Sequence, residues 1–267
     1  MKKYKNNEIF GHSTKLNTYN NISILGTNHI AKQSITEIKK AFKKLNPEIV
    51  CLELDSQRYA GLMSNKKQSF NPRIIKQVGV RGFFFSFIGG IVQKSFAKKT
   101  GHKPGVDMKT ASGLAKKNNA KILLIDQPIK RTLWNISHKI SKKDKKHFGS
   151  DIFWSMILAL LGKKLFFKVF RSDKIRKLIY NRILFIGSQS FDINTIPDQD
   201  LVLQMMEKVR YVYPSVYKIL IHDRNKFMAT NLYNITLKNP GKKIIAIVGA
   251  GHVPGILELL RKYDAKN

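Results

Sequence analysis

The sequence predicts an α/β fold in which a small, mostly parallel sheet carries a large helical insertion. Four short apolar runs each end at a glycine or a polar residue, as the buried strands of a parallel sheet do. Segments with helical periodicity separate these runs along the chain. The residues from about 128 to 240 have mostly helical patterning, so the insertion is predicted between the third and the fourth strand.

The first elements are predicted to form a strand–helix–strand unit. Ile22–Leu25 is an apolar run that stops at Gly26, and it reads as the first strand. Ser34–Glu37 has the pattern of a capping box, which opens an amphipathic helix, and Asn46–Pro47 ends that helix. Ile49–Leu54 is the second strand, and the helical crossover requires it to run parallel to the first.

The remaining elements follow the same alternation of helix and strand. A helix near Asp107–Asn118 leads into the third strand, Lys121–Ile125. Within the insertion, Leu201–Leu237 has apolar residues at helical spacing. Lys243–Val248 is the fourth strand, and Pro254–Lys262 forms a short closing helix. Together these elements predict one domain over residues 20–267, preceded by a flexible tail over residues 1–19.

Composition excludes several classes of protein. A hydrophobic content of 43% excludes a disordered chain. Cys51 is the single cysteine, which excludes an intramolecular disulfide, and its apolar surroundings predict a buried structural thiol. Gly82–Val92 is too short to span a bilayer, and lysines interrupt Ile152–Phe170. With no secretory signal pattern at the N-terminus, we expect a cytoplasmic protein or one at the membrane periphery.

The formal net charge of +32 is the strongest compositional signal. Lysines occur as doublets along the whole chain, and no nucleic-acid-reading motif accompanies them. We therefore predict a solvated lysine-rich surface without a specific nucleic-acid partner. Such a surface attracts polyanions in a salt-dependent way, and peripheral contact with an anionic membrane stays open, as does a homodimer.

Side chains that can carry chemistry follow every predicted strand. The first strand leads to His29 and the fourth to His252, each at the end of a Gly-x-x-His motif. The other polar residues at these strand ends are Glu53, Asp55 and Arg58 at the end of the second strand and Asp126 after the third. Ligands of open parallel sheets bind beyond the carboxyl ends of the strands, so the sequence predicts a functional site there.

Two histidines and one carboxylate are a recurrent ligand set for a catalytic divalent metal. Such a metal lowers the pKa of bound water and polarises a carbonyl group, which is the basis of metal-assisted hydrolysis. Glu53 is either a ligand with His29 and His252 or the general base, and both assignments stay open. The alternative is structural, with Glu53 in an ion pair with Arg58 or Arg224.

Six motifs occur in a fixed order, namely GTNH, CLELDSQRY, PGVDM, LIDQPIKRTL, IHDRNKFMATNL and VGAGHVPGI. In this order the chain resembles the TraB/PrgY family, which is related to the Tiki and GumN proteins, from about Ile22 to Leu260. The resemblance implies a fold akin to the erythromycin-esterase and ChaN group. It also implies a metal-dependent peptidase that uses two Gly-x-x-His motifs and a glutamate.

Residue by residue, the resemblance places the metal ligands at His29, Glu53 and His252, with Mn, Co or Zn as the implied ion. The further polar positions of the family pattern fall on Arg58, Asp107, Asp126 and Arg224. Gln127 and Asp223 depart from the pattern, where relatives carry Arg and Glu. We therefore predict a peptidase that hydrolyses or inactivates a signalling peptide. The alternative is a regulatory protein that binds a peptide or an anion without cleaving it.

Overall fold

The computed structural model of the protein describes residues 8–10, 14–27, 32–64, 79, 105–151, 153–154, 157, 172, 174 and 199–265. A six-stranded mixed sheet, with strand order β1-β2-β3-β6-β4-β5, forms the centre of these residues. The strands are β1 (Glu8–Phe10), β2 (Thr14–Tyr19), β3 (Ile22–Thr27), β4 (Ile49–Leu52), β5 (Lys121–Leu124) and β6 (Ile244–Gly249).

The four predicted strands are confirmed as β3, β4, β5 and β6, and neighbours among them run parallel. Strands β3 and β6 are buried along their whole length, as are all residues of β4. Strand β6 is inserted between β3 and β4, so the strand–helix–strand unit joins two strands that are not neighbours. The C-terminal strand thereby lies at the centre of the parallel part of the sheet.

The prediction of a flexible tail up to Tyr19 is wrong for Glu8–Phe10 and Thr14–Tyr19, which form the two antiparallel strands β1 and β2. Strand β2 pairs with β3 through a tight turn in which Asn20 has a φ of 48°. Leu16 and Tyr19 are buried, and they pack into the cores on opposite faces of the sheet. This burial of apolar surface stabilises β2 as part of the domain.

Helices cover both faces of the sheet. The helices are α1 (Lys32–Leu45), α2 (Ser56–Met63), α3 (Val106–Lys117), α4 (Ile129–Lys139), α5 (Gln199–Val212), α6 (Pro214–Tyr217), α7 (Asp223–Lys238) and α8 (Val253–Asp264). On one face of the sheet the core contains side chains of α1 and α3, and on the other it contains side chains of α7 and α8. The described residues thus form a three-layer α/β/α arrangement.

The helix boundaries test the sequence signals. Helix α1 begins at Lys32, so the predicted capping box is wrong, because Ser34 and Glu37 lie inside the helix with buried side chains. Its predicted end is confirmed, since Asn46 takes a φ of 42° directly before Pro47. Between β5 and β6 the described residues are mostly helical, and a π-helical segment, Lys218–His222, connects α6 to α7. The closer likeness to the erythromycin-esterase and ChaN group stays a prediction.

Two further predictions concern membranes and the cysteine. Gly82–Val92 lies outside the described residues, as does most of Ile152–Phe170. Among the described helices, none combines the length and the apolar character that crossing a bilayer requires. Cys51 is confirmed as a buried thiol, and burial raises its pKa to about 12. It is therefore a core side chain and a poor nucleophile.

Candidate active site

The two Gly-x-x-His motifs leave the sheet side by side. Strands β3 and β6 are parallel neighbours, and their register pairs Thr27 with Gly249 at the carboxyl ends. Both motifs therefore start at the same edge of the sheet, where ligands of such folds bind. His252 closes a short 3-10 turn, Ala250–His252, directly before α8. His29 lies outside the described residues.

Glu53 follows β4 at this edge, and only 4% of its side chain is exposed. Its backbone N–H donates to Ile247 O at 3.1 Å, and its Oε2 accepts from the backbone N–H of Gly249 at 2.6 Å. Its Oε1 accepts from Nη2 of Arg224 and lies 3.3 Å from Nε2 of His252. Because these bonds link Glu53 to β6, the carboxylate is held beside the second Gly-x-x-His motif.

His252 is fixed through both ring nitrogens. Its Nδ1 lies 2.6 Å from Oδ1 of Asn225, and its Nε2 lies 3.1 Å from Nη1 of Arg224. An amide oxygen only accepts hydrogen bonds and a guanidinium only donates them. The neutral ring therefore carries its proton on Nδ1 and accepts from Nη1 of Arg224 through the Nε2 lone pair. That tautomer is the one in which Nε2 can bind a metal or accept a proton.

Arg224, in the first turn of α7, connects the acidic side chains of this edge. Its Nη2 donates to Glu53 and, at 2.6 Å, to Oδ2 of Asp126, while its Nε lies 3.2 Å from both Asp126 oxygens. Its Nη1 also donates to Leu220 O at 3.3 Å. Burial disfavours the charged guanidinium, but the adjacent carboxylates of Glu53 and Asp126 outweigh this effect and raise the pKa of Arg224.

A second guanidinium completes the cluster. Arg58 donates through Nη2 to Asp126 and through Nε to Oδ2 of Asp55 at 2.8 Å. Asp55 also caps α2, because its Oδ1 accepts from the backbone N–H groups of Gln57 and Arg58. Its Oδ2 accepts from Ile129 N at 3.0 Å, at the start of α4. Burial raises the pKa of Asp55, but these hydrogen bonds and the Arg58 charge outweigh it and lower the pKa.

The structure thus brings together five of the predicted residues, namely Glu53, Arg58, Asp126, Arg224 and His252. Asp107 occupies a different place at the same edge. It is completely buried near the start of α3 and accepts a hydrogen bond of 2.7 Å from Thr27 Oγ1. Since Thr27 is the last residue of β3, Asp107 contacts the strand that leads to His29.

The residues that depart from the family pattern occupy two different environments. Gln127 is buried, and its Nε2 donates to Thr132 Oγ1 at 2.8 Å. Its backbone N–H donates to Asp126 Oδ1 at 2.7 Å, so it supports the central carboxylate. Asp223 is 30% exposed and accepts from Lys218 at 2.7 Å, outside the buried cluster. The change at Asp223 therefore affects the rim of the site.

Asn225 was not among the residues predicted from the sequence. It lies in the IHDRNKFMATNL motif directly after Arg224, so the motif contained the signal. Gly255 explains how Asn225 reaches His252. A Cβ at position 255 would lie 2.2 Å from Nδ2 of Asn225, which only a glycine avoids. The Gly after the second Gly-x-x-His motif therefore makes room for the side chain that orients His252.

The cluster offers part of a metal-binding site. Among the described residues, no group of three histidine, cysteine or acidic side chains is arranged to hold a metal ion. Glu53 Oε1 and His252 Nε2 are 3.3 Å apart, close enough to share one ion at bond lengths of about 2.0–2.2 Å. These two residues fit such an ion as a pair of donors, and Arg224 contacts both of the donor atoms.

The fold and the site define an α/β protein with an imidazole–carboxylate cluster at the carboxyl ends of parallel strands. Its sequence matches the profile of the TraB/PrgY/gumN family over residues 14–266, and the chain belongs to that family.

Proteins similar to this chain occur in an archaeon and in mammals. It is 29% identical over 254 residues to Uncharacterized protein MJ1365 of Methanocaldococcus jannaschii, covering 92% of this chain and 55% of that protein. It is 21% identical to the TraB domain-containing proteins of Mus musculus and Homo sapiens, covering 88% of this chain and 61% of each. The chain therefore spans somewhat more than half the length of these relatives.

Proposed function

We propose that this protein is a hydrolase that acts on peptides with the help of a divalent metal ion. The observation that supports this function is the pairing of Glu53 with His252 at 3.3 Å, beyond the carboxyl ends of neighbouring parallel strands. A buried carboxylate beside an imidazole can serve hydrolysis in two ways, by binding a metal ion or by transferring a proton.

Glu53 and His252 would hold the ion. His29, which follows β3 in the sequence, is the proposed third ligand. When bound, the ion supplies polarisation of the substrate carbonyl and a water molecule of lowered pKa. Imidazole and carboxylate donors suit Mn, Co or Zn. The other side chains orient this set: Asn225 keeps the Nε2 lone pair of His252 available, and the N–H of Gly249 holds Glu53 in place.

Arg58 is the proposed anchor for the substrate. Its side chain is 29% exposed, compared with 15% for Arg224, 7% for His252, 4% for Glu53 and 1% for Asp126. Arg58 is therefore the most solvent-accessible of the five clustered side chains. Guanidinium groups bind carboxylates through paired hydrogen bonds, which fits the terminal carboxylate or an acidic side chain of a short peptide.

A second function, in which the protein binds a peptide or an anion and leaves it intact, has one observation in its favour. Arg224 holds both Glu53 and His252, so the two potential donors are already engaged in ion pairs and hydrogen bonds. A regulatory binding protein needs no reactive donors, and its arginines alone would recognise an anionic partner. Saturable binding of a peptide that is recovered intact after long incubation would favour this function.

Cleavage of a peptide library by the purified protein, with added Mn²⁺, Co²⁺ or Zn²⁺ and with a chelator, tests the hydrolase. We expect cleavage that the chelator removes and that His252→Ala and Glu53→Gln both abolish. His138→Ala is the matched control, because His138 is exposed on α4 and its ring stacks on Trp134. Cleavage that survives in both site variants would contradict the proposal.

A further inference from the structure

We propose that the guanidinium of Arg224 is a built-in competitor of the metal ion, so that Arg224 and the ion bind the Glu53–His252 pair alternately. This inference rests on the proposed metal site and adds a mode of regulation to it. In the structure, the guanidinium of Arg224 is the cation that contacts both Glu53 and His252. Loading the site with a metal then requires Arg224 to release both side chains.

The contacts of Arg224 with the pair involve the atoms that a metal would use. Nη1 lies 3.1 Å from Nε2 of His252, and Nη2 donates to Oε1 of Glu53. These two acceptor atoms are the ones that lie 3.3 Å apart. The Nη1–Nη2 edge of the guanidinium therefore contacts both potential metal-binding atoms at once. While these hydrogen bonds exist, the lone pairs that accept them cannot bind an ion.

Arg224 has a second set of partners that a metal at the pair does not need. Its Nε and Nη2 donate to Asp126, whose side chain is 1% exposed, and its Nη1 donates to the carbonyl of Leu220. These groups can keep the guanidinium hydrogen-bonded after it leaves Glu53 and His252. Displacement therefore leaves no buried unpaired charge on Arg224, which would otherwise be costly.

Charge makes the competition mutual. A divalent ion beside a guanidinium in a buried site is subject to repulsion between like charges, so each cation weakens the binding of the other. Arg58 provides the comparison, because it is a second guanidinium that also donates to Asp126. Its side-chain hydrogen bonds go to Asp126 and Asp55. Of these two arginines, Arg224 is the one expected to compete directly with the ion.

Calorimetric titration of the full chain with Mn²⁺, Co²⁺ and Zn²⁺ tests the inference in the wild type, Arg224→Gln and Arg58→Gln. Each lost charge-assisted hydrogen bond to a donor atom favours the ion, so we expect Arg224→Gln to bind about tenfold more tightly or better. Arg58→Gln should change the affinity by less than Arg224→Gln does, because it leaves both contacts of Arg224 with Glu53 and His252 in place.

The outcomes separate this inference from the proposed function. If the wild type binds an ion and Arg224→Gln binds it no more tightly, the competition is overturned while the metal site stands. If only Arg224→Gln binds, the competition is supported and metal-dependent hydrolysis by the wild type is rejected. If neither protein binds any of the three ions, both proposals are overturned.

A measurement on the unaltered protein covers the case in which Arg224→Gln does not fold. Zn²⁺ is diamagnetic, so the guanidinium Nη–H signals of Arg224 and Arg58 can be followed by nuclear magnetic resonance during a titration. We expect the Arg224 signals to shift in proportion to the bound zinc and the Arg58 signals to move far less. Arg224 signals that stay unchanged at saturation, or a protein that takes up no zinc, would overturn the inference.

Discussion

His252 and Asn225 are joined by a hydrogen bond of 2.6 Å between Nδ1 of the imidazole and Oδ1 of the amide. Arg224, the residue before Asn225, contacts Nε2 of the same ring at 3.1 Å. Two consecutive residues at the start of α7 therefore address both nitrogens of one histidine. The amide sets the position of the ring proton, and the guanidinium engages the lone pair that results.

Replacing Asn225 by Leu should release the imidazole from its tautomer. Leucine has a similar shape but no acceptor for the Nδ1 proton, so Nε2 loses its preference for the unprotonated form. Residues that orient a ligating histidine contribute about 10–100-fold to metal affinity or activity, and we expect a loss in that range. Long-range proton–nitrogen spectra of His252 should change from one tautomer to a mixture.

Asn231→Leu is the matched control for this variant. Asn231 lies further along α7, and its side-chain amide donates to the carbonyl of Ile125 at 3.0 Å. Its loss should lower the stability of the protein and leave the His252 tautomer unchanged. A single His252 tautomer in Asn225→Leu would show that another group orients the ring.

Replacing Gly255 by Ala should disturb the same histidine from the opposite side. The added Cβ would lie 2.2 Å from Nδ2 of Asn225, so Asn225 has to move away from His252. We expect a loss of about 1–3 kcal/mol in the free energy of unfolding, as for other overpacked sites. Metal affinity should fall together with stability, because the ring loses its acceptor.

The control for Gly255 is another helical glycine. A Cβ at Gly113, on α3, would meet no atom within 4 Å. Gly113→Ala should therefore keep or slightly raise the free energy of unfolding, since alanine is the better helix former. Equal destabilisation in both variants would show that the cost comes from the backbone and that contact with Asn225 is irrelevant.

The replacement of Glu53 by Gln tests whether the cluster stabilises the fold. The amide remains able to accept from Gly249 N, but its NH₂ group faces the guanidinium of Arg224 and cannot accept from it. Removing one partner of a buried ion pair costs about 3 kcal/mol or more in the free energy of unfolding. Because Arg224 still pairs with Asp126, we expect the loss to stay near about 3 kcal/mol. Urea unfolding at neutral pH measures it.

Glu258→Gln is the comparison for this loss. Glu258 forms an ion pair with Lys262 at 2.5 Å on α8, with both side chains more than half exposed. Exposed pairs contribute little, so its unfolding midpoint should stay close to that of the wild type. A similar loss in both variants would indicate a general effect of charge on this basic chain, and the buried cluster would not be its source.

The parallel sheet could be predicted because each buried strand is a short apolar run with a clear end. Strand β2 lacks this signal, since Leu16 and Tyr19 are its buried apolar residues and they point to opposite faces. Its pairing partner β3 and the turn at Asn20 decide its conformation. A strand whose burial depends on tertiary contacts gives no periodic pattern in the sequence.

The sequence predicted where the site lies, but it did not predict most of the contacts between its side chains. Glu53 and His252 both follow strands, so their convergence at one edge is a consequence of parallel topology. The insertion of β6 between β3 and β4 is what lets Glu53 bond to Gly249, and strand order is not encoded locally. The approach of Asn225 depends on how α7 packs, and periodicity cannot specify that.

Acid should weaken the fold through Asp55. Burial raises the pKa of this carboxyl, but hydrogen bonds from the Arg58 backbone and side chain and from Ile129 N outweigh it, so the folded pKa lies below the unfolded value. A group with a lowered folded pKa contributes stability above its unfolded pKa of about 3.9, and the contribution is lost as pH falls through the folded pKa. Asp55→Asn keeps an oxygen that can cap α2 but removes the charge that pairs with Arg58, and this should cost about 1–3 kcal/mol at neutral pH, as the loss of a hydrogen bond to a charged group does.

The difference between wild type and Asp55→Asn should therefore be largest at neutral pH and shrink as the pH falls below about 4, where the carboxyl becomes neutral first in the unfolded chain and, at lower pH, in the folded protein. Urea unfolding at a series of pH values measures this difference directly. Asp264→Asn, at the exposed end of α8, controls for the loss of one carboxylate elsewhere on the chain. A gap between wild type and Asp55→Asn that stays constant from neutral pH to pH 3 would mean that Asp55 acts through its shape alone, because the charge on its oxygens would then add nothing to the bonds with Arg58 and Ile129.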